Sequence, residues 1–462
     1  MSEKKFIKET IVKKQTGRSR TILKILGIAA SGVLFGVMAI LTLALGRPVL
    51  DRYLVPETSK ETSPEITIPR DVQTEAVILR PVAPPTTEVP TETAPPPTEP
   101  EPTEPTEPVE NIVQNALEEY EYSFGVMEQL WEKAAEICEA SDIHITDVQS
   151  VRTETDLFEN EIERTAVFSG IIAAVSDTEV LVLTDLSALD NADELRVKMF
   201  YGETAQAQVK QTDRVNGLAV LAVKLEELGA EAKEVYTPVT LGNSFSVKRG
   251  DMLVAVGSPR EFPHSTAYCW VSYIDKDTDT VDGRATAIYP DRELSGERGV
   301  WMLNTAGELI GWVKDPGAGL SGSAAGGETE TSAESRKGAS VITGISEYKS
   351  ALERMINGRE YPYLGMVVAE QDEAMRESGA PEGVYVKSVV QGGPAYQAGV
   401  QPGDILEGIG EASSTSLASF RTAVEGLTPG TAVTLLVHRL GAEEYRDIAF
   451  EIVADSRSKT EE

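Results

Sequence analysis

Ser295-Gly296-Glu297-Arg298-Gly299-Val300 is where hydrolytic chemistry could reside, because a serine lies in a glycine-bearing turn just ahead of the apolar run Val300-Trp301-Met302-Leu303. A serine hydroxyl is a poor nucleophile unless an imidazole takes its proton and a third group orients that imidazole. The chain has three histidines, His144, His264 and His438. Only His264, in Pro263-His264-Ser265-Thr266, shares a region with Ser295, and a surface histidine is the expectation for it. Asp275, Asp277 and Asp279 have the spacing that opens a calcium loop. Thr280 stands where that loop needs glycine and Thr286 where it needs glutamate, so an acidic hairpin turn is expected and no metal site. The Gly/Ser-rich stretch 317–327 reads as a flexible insertion, since no strand leads straight into a helix there. Cys138 and Cys269 are too few for a disulfide framework and lack zinc-site spacing, so two packed thiols are expected. No cofactor is implied.

These residues need elements to position them. Residues 141–358 contain about a dozen short β-rich runs separated by turns, among them 165–175, 179–184, 195–201, 218–223, 252–256, 267–274 and 300–303. That spacing indicates an all-β sandwich or barrel, and periodicity alone does not choose between them. Ahead of it, in 111–140, Val113, Leu117, Tyr120, Phe124, Met127, Trp131, Ala134 and Cys138 alternate spacings of four and three. This heptad stripe on a Glu-rich helix either self-associates as a short coiled coil or lies on the following domain, and Gly125 weakens the first option.

Ile25 to Gly46 is a run of 22 uncharged, mostly apolar residues, long enough to cross a bilayer as one helix. Residues 1–24 carry eight Lys/Arg against two Glu, which places the N-terminus in the cytoplasm and the bulk of the chain outside it. The run exceeds the usual length of a signal-peptide core, which favours an uncleaved anchor. Residues 47–110 form a Pro/Thr/Glu-rich linker whose composition favours extended, disordered chain; at ~3 Å per residue it could hold the downstream domains on the order of 100 Å from the membrane. The chain's net charge of −32 argues against nucleic acid as a partner.

The order of Ser169-Gly170-Ile171-Ile172, Val182-Leu183-Thr184, Gly217-Leu218-Ala219-Val220-Leu221, Ala255-Val256-Gly257-Ser258-Pro259 and Gly307-Glu308-Leu309-Ile310-Gly311 resembles the HtrA-type trypsin-like serine proteases. The likeness runs over about 145–455, two thirds of the chain. It implies a mainly β fold, a two-lobed trypsin-like β-barrel. Laid on that family's motifs, the histidine position falls on Ser187, the aspartate position on Gly217 and the serine position on Arg298, so the catalytic triad is degenerate. Ser187 cannot act as a base near neutral pH, Gly217 has no side chain, and Arg298 puts a permanent cation where the attacking oxygen should stand. The resemblance therefore implies an inactive homologue; the alternative is an active endopeptidase with a displaced triad built on Ser295 and His264.

Residues 359–455 resemble the PDZ domain attached to the same proteases. Tyr363-Leu364-Gly365-Met366, Gly383-Val384-Tyr385-Val386 and Ala398-Gly399-Val400-Gln401-Pro402-Gly403-Asp404-Ile405-Leu406 carry the likeness. Such a domain adds an extended peptide to a sheet edge and holds its terminal carboxylate on backbone N–H groups. By the resemblance Leu364, Gly365 and Met366 form the carboxylate loop, Val367 and Val368 the receiving strand, and Phe420 and Ala423 lie on the helix near the groove. Expected partners are protein or peptide C-termini and, through 25–46, the membrane; the family's trimeric habit is a guide to oligomeric state. A short tail, 456–462, ends the chain.

Overall fold

In the computed structural model the described residues are 65–72, 109–155, 161–229, 231–296, 298–314, 340–442 and 444–458. The basic tail 1–24, the membrane helix 25–46, most of the linker, the loop 317–327 and the last four residues lie outside them.

Twelve strands of the described chain close into two antiparallel six-stranded barrels. The first comprises β1 (Ile145–Thr155), β2 (Glu161–Val175), β3 (Glu179–Asp185), β4 (Glu194–Lys198), β5 (Thr204–Asp213) and β6 (Leu218–Lys224), in the order β1-β2-β3-β6-β5-β4. The second comprises β7 (Met252–Gly257), β8 (Ala267–Thr280), β9 (Gly283–Pro290), β10 (Val300–Leu303), β11 (Leu309–Val313) and β12 (Ile342–Gly344), in the order β10-β11-β12-β9-β8-β7. β1 pairs with β4 and β10 with β7, which closes each barrel and leaves no exposed edge.

Alternation explains why several of these strands read as unbroken apolar runs. Successive side chains point to opposite faces. In β3 and β6, Val180, Val182, Leu221 and Val223 fill the first barrel, whereas Leu181, Leu183, Val220 and Ala222 point outward. Likewise Leu253, Ala255, Val300 and Met302 fill the second barrel, and Val254, Val256, Trp301 and Leu303 point outward. The two outward sets belong to one shared core, so these strands are buried on both faces.

α1 (Val109–Ser141) seats its last turns on that shared core through Ala134 and Ile137, while Met127 and Trp131 are exposed. The C-terminal half of the heptad helix thus lies on the barrels, the second of its two options. A finding within the linker span concerns residues 65–72. Ile68 is buried in the shared core, and Ile66 exchanges backbone bonds with the Asn357 side chain at 3.0 and 2.8 Å. Asp71 accepts from Ser346 Oγ at 2.6 Å and pairs with the buried Lys349 at 2.8 Å. Pro/Thr/Glu composition around this stretch hides Ile66-Thr67-Ile68, whose alternation suits one-sided packing on α2 (Lys349–Ile356). Both cysteines are free thiols, as expected, and burial pushes the Cys269 thiol up to about 12.

After α2 the chain builds a smaller sheet: β14 (Met366–Ala369), β15 (Val384–Val389), β16 (Ile405–Ile409), β18 (Ala432–Leu440) and β19 (Tyr445–Val453) in that order, with β17 (Ala412–Ser413) beside β16. β13 (Pro362–Tyr363) pairs with β20 (Asp455–Ser456), joining the two ends of the module. α3 (Leu417–Glu425) starts in a capping box made by Ser416 and Ser419, and Leu417, Phe420 and Val424 bury its inner face. β14 is an edge strand of this sheet.

Candidate functional site

Ser187 and Gly217 lie in the first barrel, while Arg298 and His264 of the second barrel reach across the seam to it. Ser187 sits in the short helical turn Leu186–Leu189 after β3, where its N–H (2.9 Å) and its hydroxyl both donate to Asp185. Leu186 N–H donates to Gly217 O at 2.9 Å, so the Ser187 and Gly217 positions lie on adjoining loops. Gly217 has φ +71°, the left-handed turn conformation that suits a residue without a Cβ. Arg298 lies across the seam. Its carbonyl accepts from Ser169 N–H at 2.7 Å, its Nη1 donates to Val167 O at 3.2 Å, and its guanidinium lies 6.0 Å from the Phe168 ring centroid.

Gly299 approaches β2 so closely that a Cβ there would meet Ser169 O at 2.3 Å. Its carbonyl accepts from Ser258 N–H at 3.0 Å, and Ser258 Oγ shares a 2.7 Å bond with Ser169 Oγ in a fully buried pair. The turn matching the family's nucleophile position is thus packed face-on against the first barrel. Ser295 lies upstream, half-buried, with its N–H on Pro259 O at 3.3 Å.

His264 is exposed, as expected for a surface histidine, and it also has a carboxylate partner. Its loop folds back through Ser265 N–H to Gly257 O at 3.1 Å, and His264 itself adopts φ +57°. That turn carries the imidazole to the first barrel, where Nε2 lies 3.0 Å from Asp147 Oδ1. The Asp147 carboxylate raises the His264 pKa, with partial burial opposing. His438 stands on β18 between Asp447 at 2.8 Å and Glu407 at 3.2 Å, and His144 Nδ1 contacts Thr237 O at 2.8 Å.

The most developed polar site lies at the start of β14. Leu364, Gly365 and Met366 present three successive N–H groups to one point, with Gly365 at φ +79°, which makes a concave anion nest. All three donate to the side chain of Asp282, a residue 2% exposed at the tip of the β8–β9 hairpin. Oδ2 accepts from Leu364 (2.8 Å) and Gly365 (3.0 Å), and Oδ1 from Met366 (3.0 Å). Asp282 N–H then donates to Met366 O at 2.7 Å, and Val281 forms an antiparallel bridge with Val367. Burial raises the Asp282 carboxyl pKa, opposed by the Arg457 cation and by the three N–H donors.

Of the other groove residues, Val367 and Val368 lie on β14, with a bulge between them. Phe420 is fully buried in the core of the small sheet, and Ala423 lines an open apolar cleft with Ile409, Leu427 and Val433. The α3 residue that faces the hairpin is Arg421, which shares a small cavity with Val281, Asp282 and Gly283. Arg457 closes the back of the site, buried over Tyr361 (4.4 Å) beside Asp213 (3.6 Å), with Nη2 on Val281 O at 3.4 Å.

The expected acidic hairpin is present, with Asp277 paired to Arg284 at 2.7 Å and Asp279 to Lys387 of β15 at 2.8 Å. Sequence reasoning missed Asp282, Arg421 and Arg457. The Asp282-Gly283 pair does signal a hairpin turn, but nothing local says what that turn touches.

Residues 362–449 match the family model described as a PDZ domain. Among curated proteins the chain is similar to a serine protease Do-like HtrA of Lactobacillus helveticus, 24% identical over 60% of this chain and 66% of that protein. It is also similar to a probable periplasmic serine endoprotease DegP-like of Pseudomonas fulva, 26% identical over 58% of this chain and 53% of that one. The chain thus spans between about half and two thirds of the length of these relatives. Among solved structures, an HtrA-type protease AlgW with decapeptide is 19% identical, with 71% of this chain and 99% of that chain covered and a TM-score of 0.47. Residues 362–449 are a PDZ domain, and the chain that carries it is similar in sequence to HtrA-type serine proteases.

Proposed function

We propose that this chain is a membrane-anchored, extracytoplasmic relative of the HtrA proteases that has lost peptide hydrolysis and binds peptide or unfolded protein termini through its PDZ domain, in envelope quality control or scaffolding. The observation that carries the reading is the three-N–H nest of Leu364, Gly365 and Met366 at the head of an edge strand, which is built to hold a carboxylate. The absence of hydrolysis rests on side-chain chemistry: Ser187, Gly217 and Arg298 together provide neither a base nor an activated hydroxyl. An extracytoplasmic location is supported by the basic residues ahead of 25–46 and by the relatives named as periplasmic.

The second reading, an endopeptidase with a displaced triad, draws on the His264–Asp147 pair, which has the form of a base with its orienting carboxylate. A fluorophosphonate probe applied to the full-length chain separates the two. No stoichiometric labelling and no cleavage of an unfolded substrate are expected. Labelling of Ser295 or another serine, lost in His264→Ala and accompanied by cleavage, would establish the second reading.

A further inference from the structure

We propose that the tip of the β8–β9 hairpin is a resident ligand of the PDZ domain, so that Asp282 of the barrel gates the groove against external C-termini. The inference rests on the peptide-binding reading above and adds to it a competitor built into the same chain.

Several independent contacts make the hairpin tip resemble a docked peptide end. The Asp282 carboxylate takes all three N–H groups of the nest, so no donor of that loop is left for a second carboxylate. The backbone continues as a peptide would, with Asp282 N–H on Met366 O and Val281 opposite Val367 in antiparallel pairing. Val281 is buried among Val215, Tyr363 and Val390, with Val367 packed against them. Flanking contacts hold the hairpin in place: Asp279 pairs with Lys387, and Arg457 donates to Val281 O. Asp282 also holds φ +55°, a backbone conformation that costs a non-glycine residue free energy, and the docked contacts offset it.

An ordinary hairpin turn has no need of such a partner. The turn is the two-residue loop Val281-Asp282 between the paired Thr280 and Gly283, and a side chain that such a turn leaves free to face solvent is instead buried in a nest more than eighty residues away in the chain. An external peptide therefore meets a site that is open only in the fraction of molecules whose hairpin has left, and its apparent affinity falls by that fraction. Binding of a peptide and withdrawal of the hairpin are then one equilibrium, which links the groove to the second barrel through β8 and β9.

The test uses the full-length chain in detergent and a fluorescent decapeptide ending in Asp-Thr-Val-Val, the residues of 279–281 followed by a valine with a free carboxylate. Its C-terminal amide is the control. Asp282→Ala is expected to bind the free-acid peptide at least tenfold more tightly than the unaltered protein, about 1.4 kcal/mol, and the amide is expected to bind neither. Asp282→Asn keeps the side-chain shape and removes the charge; it guards against loss of folding in the alanine variant and is expected to fall between the two. Equal affinity of all three proteins would overturn the gate and leave peptide binding intact. Binding by none would overturn the gate together with the peptide-binding reading. Amide exchange at Leu364, Gly365 and Met366 provides the companion measurement: faster in both variants supports occupancy by Asp282, and unchanged rates refute it.

Discussion

Truncating Arg439 to alanine should be among the most damaging single changes in the PDZ domain. Arg439 Nε and Nη2 donate to the two oxygens of Asp404, each at 2.7 Å, and Nη2 also reaches Gly399 O at 2.8 Å. The guanidinium stacks 5.4 Å from the Phe450 centroid. Asp404 is 1% exposed, so the substitution strands a buried carboxylate, a loss that typically costs about 3–5 kcal/mol. Gln401 N–H still donates to Asp404 at 2.8 Å, and Arg439 is partly exposed, so water can enter where its head group stood. Both place the expectation at the lower end, roughly 3 kcal/mol. Amide exchange in β16 and β18 is the suitable assay, because it reports on this domain without requiring the whole chain to unfold in one step. Protection there should fall by about 100-fold or more, and adding Asp404→Asn should restore part of it by removing the unpaired charge. A loss below about fivefold, or a double variant as unprotected as Arg439→Ala, would refute the argument that a buried ion pair holds this turn on β18.

Two further outcomes concern the barrels. The His264 pKa is raised by Asp147, with Asp142 adding to the effect and Lys198 opposing it, so the pair contributes stability fully present below the unfolded value of about 6.5 and lost as pH rises through the folded value. Thermal melts should therefore separate the unaltered protein from His264→Ala near pH 5.5 and bring them together near pH 9; an equal gap at both would count against the pairing. Ile68→Ala should destabilise the barrels by roughly 2 kcal/mol, the low end for a buried isoleucine, since residues 65–72 lie at the rim of the shared core and can settle inward. A melting temperature unchanged by this substitution would show that the segment does not brace α2.

Much of the fold was legible because it is written in local pattern. Period-two alternation and turn spacing announced about a dozen strands between 141 and 358, and the described residues there form twelve. The Ala398–Leu406 motif pointed to the PDZ domain by its family resemblance, and its Gly399 and Gly403 adopt φ of +95° and +96°. The resemblance put the expected triad positions at 187, 217 and 298, and the side-chain types there offer no base. The resemblance also placed the carboxylate loop on Leu364, Gly365 and Met366, whose three consecutive N–H groups converge in the structure.

What filled the nest was not readable. Asp282 and Leu364 are 82 residues apart, and no periodicity specifies which loop of one domain meets which groove of another. The same holds for His264 meeting Asp147 across the two barrels, and for Ile68 entering a core from within a Pro/Thr/Glu tract. Each depends on how finished elements dock, through shape and charge matched over long chain separations. By itself the sequence determined the elements and, through the family resemblance, where a carboxylate loop and the triad positions were to be expected. Only the tertiary structure decided which carboxylate the loop holds, because that partner is chosen by packing between domains and leaves no local mark on the chain.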